Sequence, residues 1–393
     1  MKILLVNKAY FPHLGGVETV VRQLAEGMQR RGHEVTVLCF GDRDISERID
    51  GVEVRRTCPM GHIGSAPVGF RFVKEFSRLS KWADVINIHS PNPMGEFALL
   101  LSRSLRGKKI ICTYHGDAQR PKFFLPAHDA TLRRFFRRCD AIAVSNPPLL
   151  ENSRVLGTNH VKEKTCIIPL GVRTENYAKH RDSDAREARS LLASMPASFK
   201  VMYAGRMVYY KGISVLLDAL RKMKSQRHKV SAFLIGSGPE EKDIRSFIVN
   251  NAMERDIIIL PHQPEGVYRA LFSFADCFVL PSTHQTEAFG IVLAEAMASG
   301  LPIISTELGT GTSWVNLDGE TGIVVPPRDS NALAEAISYL SSHDAERKAM
   351  AAESLARARL FFEEDAMLEA YEGLFKRGGK EIADRNGVCP KHA

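Results

Sequence analysis

Two glutamates, Glu287 and Glu295, bracket a segment of small and apolar residues, EAFGIVLAE, whose spacing suits recognition of a polyhydroxylated ligand. Glu287 falls in the loop after an apolar strand ending Leu280-Pro281-Ser282, and Phe289–Gly290 open a helix holding Leu293, Glu295, Ala296 and Met297. About one and a half turns into that helix, the Glu295 carboxylate can reach sideways and accept from two vicinal hydroxyls, as a ribose presents. Glu287, in the loop, is free to accept from sugar hydroxyls, and the helix N-terminus can receive a phosphate. The plainer alternative, two helix-flanking acids with no shared role, fits the Ala- and Gly-rich context less well. A second constellation is Gly205-Arg206-Met207 with Lys211-Gly212, where an Arg fork and a Lys point charge on one strand-to-helix turn suit a diphosphate.

Two further segments could contribute. In Phe11-Pro12-His13-Leu14-Gly15-Gly16-Val17-Glu18 the paired glycines Gly15 and Gly16 would let backbone approach a ligand, and the helix they open offers N–H groups to an anion. The segment lacks the GxGxxG spacing of a dinucleotide site, and tight-turn geometry explains a Gly-Gly pair equally well. His115, in Thr113-Tyr114-His115-Gly116-Asp117, follows a predicted strand and could contact a ligand, although a lone histidine is more often structural.

The elements that must position these groups alternate strand with helix, the pattern of parallel βαβ units. Strands are expected at Lys2–Val6, Val35–Cys39, Val85–Ile88, Ile110–Thr113 and Ala141–Val144, with an amphipathic helix over Gly16–Arg31 that turns Val20, Leu24 and Met28 to one face. A polar stretch over 171–198 reads as a linker region. A second alternation places strands at Lys200–Ala204, Ala232–Ile235, Ile257–Leu260, Cys277–Leu280 and Pro302–Ser305, with helices over Ala332–Leu340 and beyond His343. The expected organisation is α/β: a Rossmann-like domain over 1–170, a nucleotide-sugar-binding Rossmann-like domain over 199–360, and a helical tail over 361–393 whose start packs back on the first domain. In such sheets ligands bind beyond the carboxyl ends of the strands, where these motifs fall.

Composition excludes several classes. A hydrophobic content of 44% with 25% charged residues is that of a globular protein, and no apolar run approaches a bilayer span. The start MKILLVNKAY has too short an apolar run for a secretory leader, and seven cysteines without a CxxC pair fit reduced thiols, so a cytoplasmic protein is expected. Residues 1–170 carry 26 Lys and Arg against 16 Asp and Glu, and the remainder carries 27 against 29. The excess peaks over 103–138, from Arg103, Arg106, Lys108 and Lys109 through Arg120 and Lys122 to Arg133, Arg134, Arg137 and Arg138, interleaved with Phe123, Phe124, Leu125, Phe135 and Phe136. A solvated face is one reading. The other is an interfacial helix on an anionic membrane surface, preferred over nucleic acid because no nucleic-acid motif accompanies the charges.

Taken together, FPHLGGVE, RGHEVTVL, GRMVYYKG, LIGSGPE, LPS, EAFGIVLAEAMASGLPII and GETGIVVPP resemble, in order, the sequence blocks of family 4 of the retaining glycosyltransferases, from residue 1 to about 330. The resemblance implies a GT-B fold, two Rossmann-like domains facing across a cleft, and a nucleotide-sugar co-substrate with no other cofactor and no metal. It implies that Arg206 and Lys211 neutralise the leaving diphosphate with the Gly16 amide, and Gly15 and Gly205 are counted with them among the donor-binding residues. Glu295 holds the ribose, and Glu287 orients the hexose with the backbone of Phe289 and Gly290. His115 sits over the sugar. Retention is then explained by front-face attack with the leaving phosphate as base. Arg173 stands where many members have an acid, and Ala288 replaces a frequent glycine. TYHGDAQRPKFF and GTGTSWVNLDGETG are similar to bacterial mannosyltransferases of surface-polysaccharide assembly, implying GDP-mannose first and a UDP-hexose second. The implied acceptor is a glycan or polyprenyl-diphosphate-linked saccharide at the inner membrane's cytoplasmic face. Asp42-Arg43-Asp44 and Asp182-Ser183-Asp184 spell D-x-D without the strand context that metal motif needs. The alternatives are a GT-B nucleotide-sugar epimerase or phosphorylase, and a non-catalytic membrane-docking module.

Overall fold

The computed structural model describes residues 1–13, 15–64, 66–102, 105–117, 125–196 and 198–377. The chain forms two compact units, Met1–Pro169 with the chain from Asp365 onward, and Leu170–Glu364.

The first unit opens with β1 (Lys2–Val6), α1 (Gly16–Arg30) and β2 (Glu34–Phe40), then a hairpin of β3 (Ile45–Ile49) and β4 (Val52–Thr57) and a smaller one of β5 (Gly61–Ile63) and β6 (Ala66–Val68). It continues through α2 (Phe70–Trp82), β7 (Val85–Ser90), α3 (Pro93–Leu101), β8 (Lys109–Tyr114), α4 (Leu125–Arg138), β9 (Ala141–Val144), α5 (Pro147–Asn152), α6 (Asn159–Lys162) and β10 (Thr165–Ile167). Its sheet runs β10-β9-β8-β7-β1-β2-β4-β3, parallel except for β3, which is antiparallel to β4. Of the central strands, β1 is a nearly continuous apolar run, as burial on both faces favours, whereas β7 is equally buried but mixes Val85, Ile86 and Ile88 with the polar Asn87, His89 and Ser90. Val20, Leu24 and Met28 of α1 are fully buried, as their spacing predicts.

The second unit begins at Leu170 and so takes in the stretch read from sequence as a linker. Residues 171–198 carry α7 (Glu175–Ala178) and α8 (Asp182–Leu191), and Tyr177, Ala188 and Leu192 are buried. These apolar side chains draw the segment onto the second unit despite its polar composition. There follow β11 (Phe199–Ala204), a 3-10 turn at Tyr209–Lys211, α9 (Ile213–Ser225), β12 (Val230–Ile235), α10 (Glu241–Asn250), β13 (Ile257–Leu260), α11 (Glu265–Phe272) and β14 (Cys277–Leu280). The unit closes with α12 (Ile291–Ala298), β15 (Ile303–Thr306), α13 (Gly311–Val315), β16 (Gly322–Val325), α14 (Ser330–Ser342) and α15 (Asp344–Phe361). Its sheet, β13-β12-β11-β14-β15-β16, is parallel throughout. At its boundary Val172 N donates to Phe362 O (2.7 Å) and Glu364 N to Val172 O (3.0 Å). Arg173 pairs with Glu364 at 2.8 Å. A Cβ on Gly171 would come within 2.6 Å of the Glu364 Cα, so only glycine lets these segments touch.

The last helix, α16 (Glu364–Arg377), supplies the first unit's closing layer. Leu368 packs where Gly27 of α1 has no side chain, and Glu372 pairs with Arg31 (3.1 Å) and His33 (3.2 Å). The rest of the expected tail, 378–393, lies outside the described residues.

One expectation is overturned. Phe135 and Phe136, read from sequence as part of an interfacial helix, are both fully buried in the first unit's core with Leu132 and Cys139. Leu132, Phe135 and Phe136 form the inner stripe of α4, continued by Cys139 just past its end, and Arg133, Arg134 and Arg137 stay exposed. Arg138 is engaged too, donating to the carbonyls of Leu99 (2.6 Å), Leu100 (3.1 Å) and Ser102 (2.8 Å) at the end of α3. Arg103, Arg120, Lys122, Phe123 and Phe124 lie outside the described residues, as does the Leu125 side chain.

Candidate functional site

Strand order reverses twice, and each reversal marks a crevice. In the second unit β11 lies between β12 and β14, so chain leaving the carboxyl ends of β11 and β14 runs outward on opposite sides of one gap. Gly205 and Arg206 follow β11, and Ser282 and Glu287 follow β14.

The loop after β11 is shaped by glycines. Gly205 has φ +151° and Gly212, the N-cap of α9, φ +69°. A Cβ on Gly212 would lie 1.9 Å from the Pro281 carbonyl oxygen, so the two loops approach backbone to backbone, and Thr283 N donates to Tyr210 O (2.7 Å). The buried Tyr203 hydroxyl donates to Arg206 O (3.0 Å) and pins the turn. Gly236 and Gly238 in the loop after β12 fit the same turn, their Cβ positions 2.1 Å from Gly205 O and 2.3 Å from Met207 O. The exposed Arg206 guanidinium has no hydrogen-bonded or ion-paired partner among the described residues.

Lys211 does have one. Its Nζ lies 2.6 Å from Glu287 Oε2, and both side chains are largely shielded from water. The buried Ser282 hydroxyl donates to the same oxygen (3.0 Å). With Oε2 occupied twice, Oε1 of Glu287 is the oxygen left to accept from a ligand. The loop is held from behind by Thr310 Oγ1 donating to Glu287 O (2.7 Å) and Gly311 N to Ala288 O (2.8 Å). Phe289 is a core side chain against Trp314 and Phe362, so it can offer a ligand only its backbone. Gly290, at φ +74°, caps α12 in a left-handed conformation.

Glu295 is held by two phenols. Tyr268 OH donates to its Oε2 (2.6 Å), and Tyr177 forms a second side-chain hydrogen bond. Burial raises the carboxyl pKa while both phenols and the Arg269 charge oppose that shift. Sequence reading missed Tyr177 and Tyr268, since isolated tyrosines on separate helices carry no local signal.

In the first unit the reversal lies at β1, between β2 and β7. Gly15 and Gly16 follow β1 and start α1. A Cβ on Gly15 would meet the Glu18 carboxylate at 2.2 Å, whereas one on Gly16 would meet nothing within 4 Å. The Glu18 carboxylate is the end of a flexible side chain that can swing aside and Gly15 is extended, so packing demands glycine at neither position, and Gly16 faces open space. His115 follows β8, its amide donating to Ser90 O (2.9 Å). Its Nε2 lies 2.9 Å from Nδ1 of His89, a residue at the end of β7 that sequence reading passed over. Burial pushes the His115 imidazole down to about 4. Nearby, fully buried Glu96 accepts from Ser90 Oγ (2.7 Å), Asn92 N (2.7 Å) and His128 Nε2 (3.1 Å).

Asp44 accepts from Cys58 N (2.9 Å) and from Arg71, and Asp182 and Asp184 lie in the first turn of α8. Among the described residues no three His, Cys, Asp or Glu side chains gather as a metal would require.

The chain matches two family descriptions, Glycosyltransferase Family 4 over residues 14–176 and Glycosyl transferases group 1 over 186–357. It is 30% identical over 378 residues to O-antigen chain mannosyltransferase C of Escherichia coli, covering 95% of this chain and 98% of that one. It is 31% identical over 365 residues to the D-rhamnosyltransferase WbpZ of Pseudomonas aeruginosa, covering 92% of each. A glycosyltransferase from Rickettsia africae shares the fold, with a TM-score of 0.76 at 18% identity over 97% of this chain and 99% of that one. Two parallel-sheet units with a crevice at each strand-order reversal, and relatives matched from end to end, make this chain a glycosyltransferase of family 4 with the GT-B fold.

Proposed function

We propose that the enzyme transfers a hexose from a nucleotide-sugar, GDP-mannose before any UDP-hexose, with retention at the anomeric carbon. The acceptor is a glycan or polyprenyl-diphosphate-linked saccharide in cell-surface polysaccharide assembly. The observation that carries this reading is the Lys211–Glu287 pair, which puts a cation and a sugar-facing carboxylate into one unit at the crevice beyond β11 and β14. Arg206, unpaired on the same turn, joins Lys211 in neutralising the diphosphate. Glu287 Oε1 accepts from hexose hydroxyls, and Glu295, steadied by its phenols, accepts from the ribose. The Gly16 amide serves the diphosphate, and His115 serves the transferred sugar.

The bond from the anomeric carbon to the diphosphate breaks as the acceptor oxygen bonds the same face, and the acceptor proton passes to the departing phosphate oxygen. Such a step needs fixed charge more than a strong base, which is what this site supplies. Support for a manno-configured sugar comes from the relatives, one named a mannosyltransferase and one a D-rhamnosyltransferase, D-rhamnose being 6-deoxymannose.

A panel of labelled nucleotide-sugars incubated with washed membranes tests the donor. Transfer from GDP-mannose is expected, and transfer from UDP-sugars alone overturns the donor assignment. The product's anomeric coupling reads retention, and undiminished turnover in EDTA is expected for a diphosphate neutralised by side chains. No helix among the described residues is long and apolar enough to cross a membrane. We place the enzyme at the cytoplasmic membrane face through its basic surface, including Arg133, Arg134 and Arg137; co-sedimentation with anionic but not neutral vesicles is expected.

A further inference from the structure

The first unit's crevice holds a histidine pair that the family resemblance does not assign. His89 ends β7 and His115 follows β8, two neighbouring parallel strands. The rings are 19° from coplanar with centroids 5.2 Å apart, and His89 Nδ1 lies 2.9 Å from His115 Nε2. That is the edge-to-edge arrangement of an N–H···N hydrogen bond. A neutral imidazole has one donor and one acceptor nitrogen, so this bond holds one proton and permits two tautomer pairs. In the first, His115 donates from Nε2, and His89 must carry its proton on its own Nε2. In the second, His89 donates from Nδ1, its Nε2 is a bare lone pair, and His115 carries its proton on Nδ1.

The surroundings of His89 decide between them. The residue is 1% exposed, and its Nε2 is buried with no hydrogen-bond partner among the described residues. The first pair would therefore bury an orphaned N–H, which native structures rarely tolerate, whereas an under-satisfied acceptor is less unusual. We propose that His89 is a positioning residue that donates its Nδ1–H to His115 Nε2, fixing His115 as the Nδ1–H tautomer with that N–H directed to the ligand. Burial lowers the proton affinity of both rings, so the pair is neutral near pH 7 and the ligand meets a dipole instead of an imidazolium. A neutral, rotationally fixed donor stabilises a hydroxyl or a departing oxygen without reorganising during the reaction. This deepens the proposed function and rests on its assignment of His115 to the transferred sugar.

The tautomers can be read on the free full-length enzyme by nitrogen-15 NMR of labelled histidine, independently of any donor. Expected are Nδ1-protonated rings for both residues, with a scalar coupling across the His89 Nδ1–H···Nε2 His115 bond. A His115 ring protonated on Nε2 overturns the proposal. In His89→Phe the His115 signals should shift toward mixed tautomers, and kcat should fall about tenfold with the donor KM nearly unchanged, a loss typical of an outer partner. His89→Asn, whose amide can replace the lost donor, should recover most of that kcat. Wild-type kcat and unmoved His115 signals in His89→Phe would refute it. An active His115→Ala variant alongside the expected NMR pattern would instead place the failure in the sugar-contact reading, leaving the pair intact.

Discussion

Lys211 and Glu287 act as one unit, because each removes the other's cost of being shielded from water. Replacing Lys211 with Met leaves a carboxylate sharing its crevice only with the Ser282 hydroxyl. The expected penalty is about 3 kcal/mol of stability together with loss of transfer. Glu287→Gln keeps the shape and the Ser282 contact but strands the ammonium. A thermal-melt cycle over the two single variants and the double checks the pairing: the double should be more stable than the sum of the singles predicts. At Glu295 the partners are neutral. Tyr268→Phe removes the 2.6 Å hydrogen bond and should weaken nucleotide binding roughly tenfold, as expected for a hydrogen bond to a charged group, with kcat less affected. Isothermal titration with GDP and UDP reads that change, and an unchanged affinity for both would separate Glu295 from the ribose. Both glutamates could be read from sequence because loop and helix positions follow from local pattern. Their distant partners could not, since Lys211, Tyr177 and Tyr268 meet them only through packing.

At the scale of elements, two glycines at helix starts differ in what they do. Gly212 combines positive φ with a Cβ position 1.9 Å from a carbonyl oxygen, so Gly212→Ala forces the loops after β11 and β14 apart. That variant should melt several degrees lower and lose transfer, since the Lys211–Glu287 contact depends on this approach. Gly16 has open space where a side chain would go, and alanine is the better helix former there. Gly16→Ala should therefore keep or slightly raise the melting temperature while lowering donor affinity. Unchanged affinity would show that the diphosphate does not approach Gly16. Sequence presented both glycines alike, as Gly before a helix. The helix over Leu125–Arg138 shows the converse: charge and aromatic content resembled a membrane-seeking segment, yet the phase of Leu132, Phe135, Phe136 and Cys139 turned the aromatics inward.

Across the whole molecule, the buried His89 and the half-buried His115 tie stability to pH. The His115 pKa is held down to about 4 by burial, against an ordinary 6.5, and that of His89 is also well below the ordinary value. Between pH 6.5 and 4 the unfolded chain takes up protons that the native rings refuse. The histidine contribution is thus complete above pH 6.5 and falls as the solution is acidified. Urea unfolding of the first unit's signals from pH 7.5 to 4 should follow that slope, and the double variant His89→Asn/His115→Asn should flatten it. A wild-type profile level across this range would contradict burial of the pair.

What the amino-acid sequence determined by itself was everything carried by local period and spacing. Apolar runs bounded by turns set two series of parallel strands, and glycines beside cations and two spaced glutamates marked the loops that follow them. The tertiary structure alone decided which of these groups meet. Lys211 reaches Glu287 because β14 neighbours β11 in the sheet, and His89 reaches His115 because β8 neighbours β7. Strand period is written in consecutive residues. Strand order is settled by how whole elements bury their faces, so partners across the sheet are an outcome of packing.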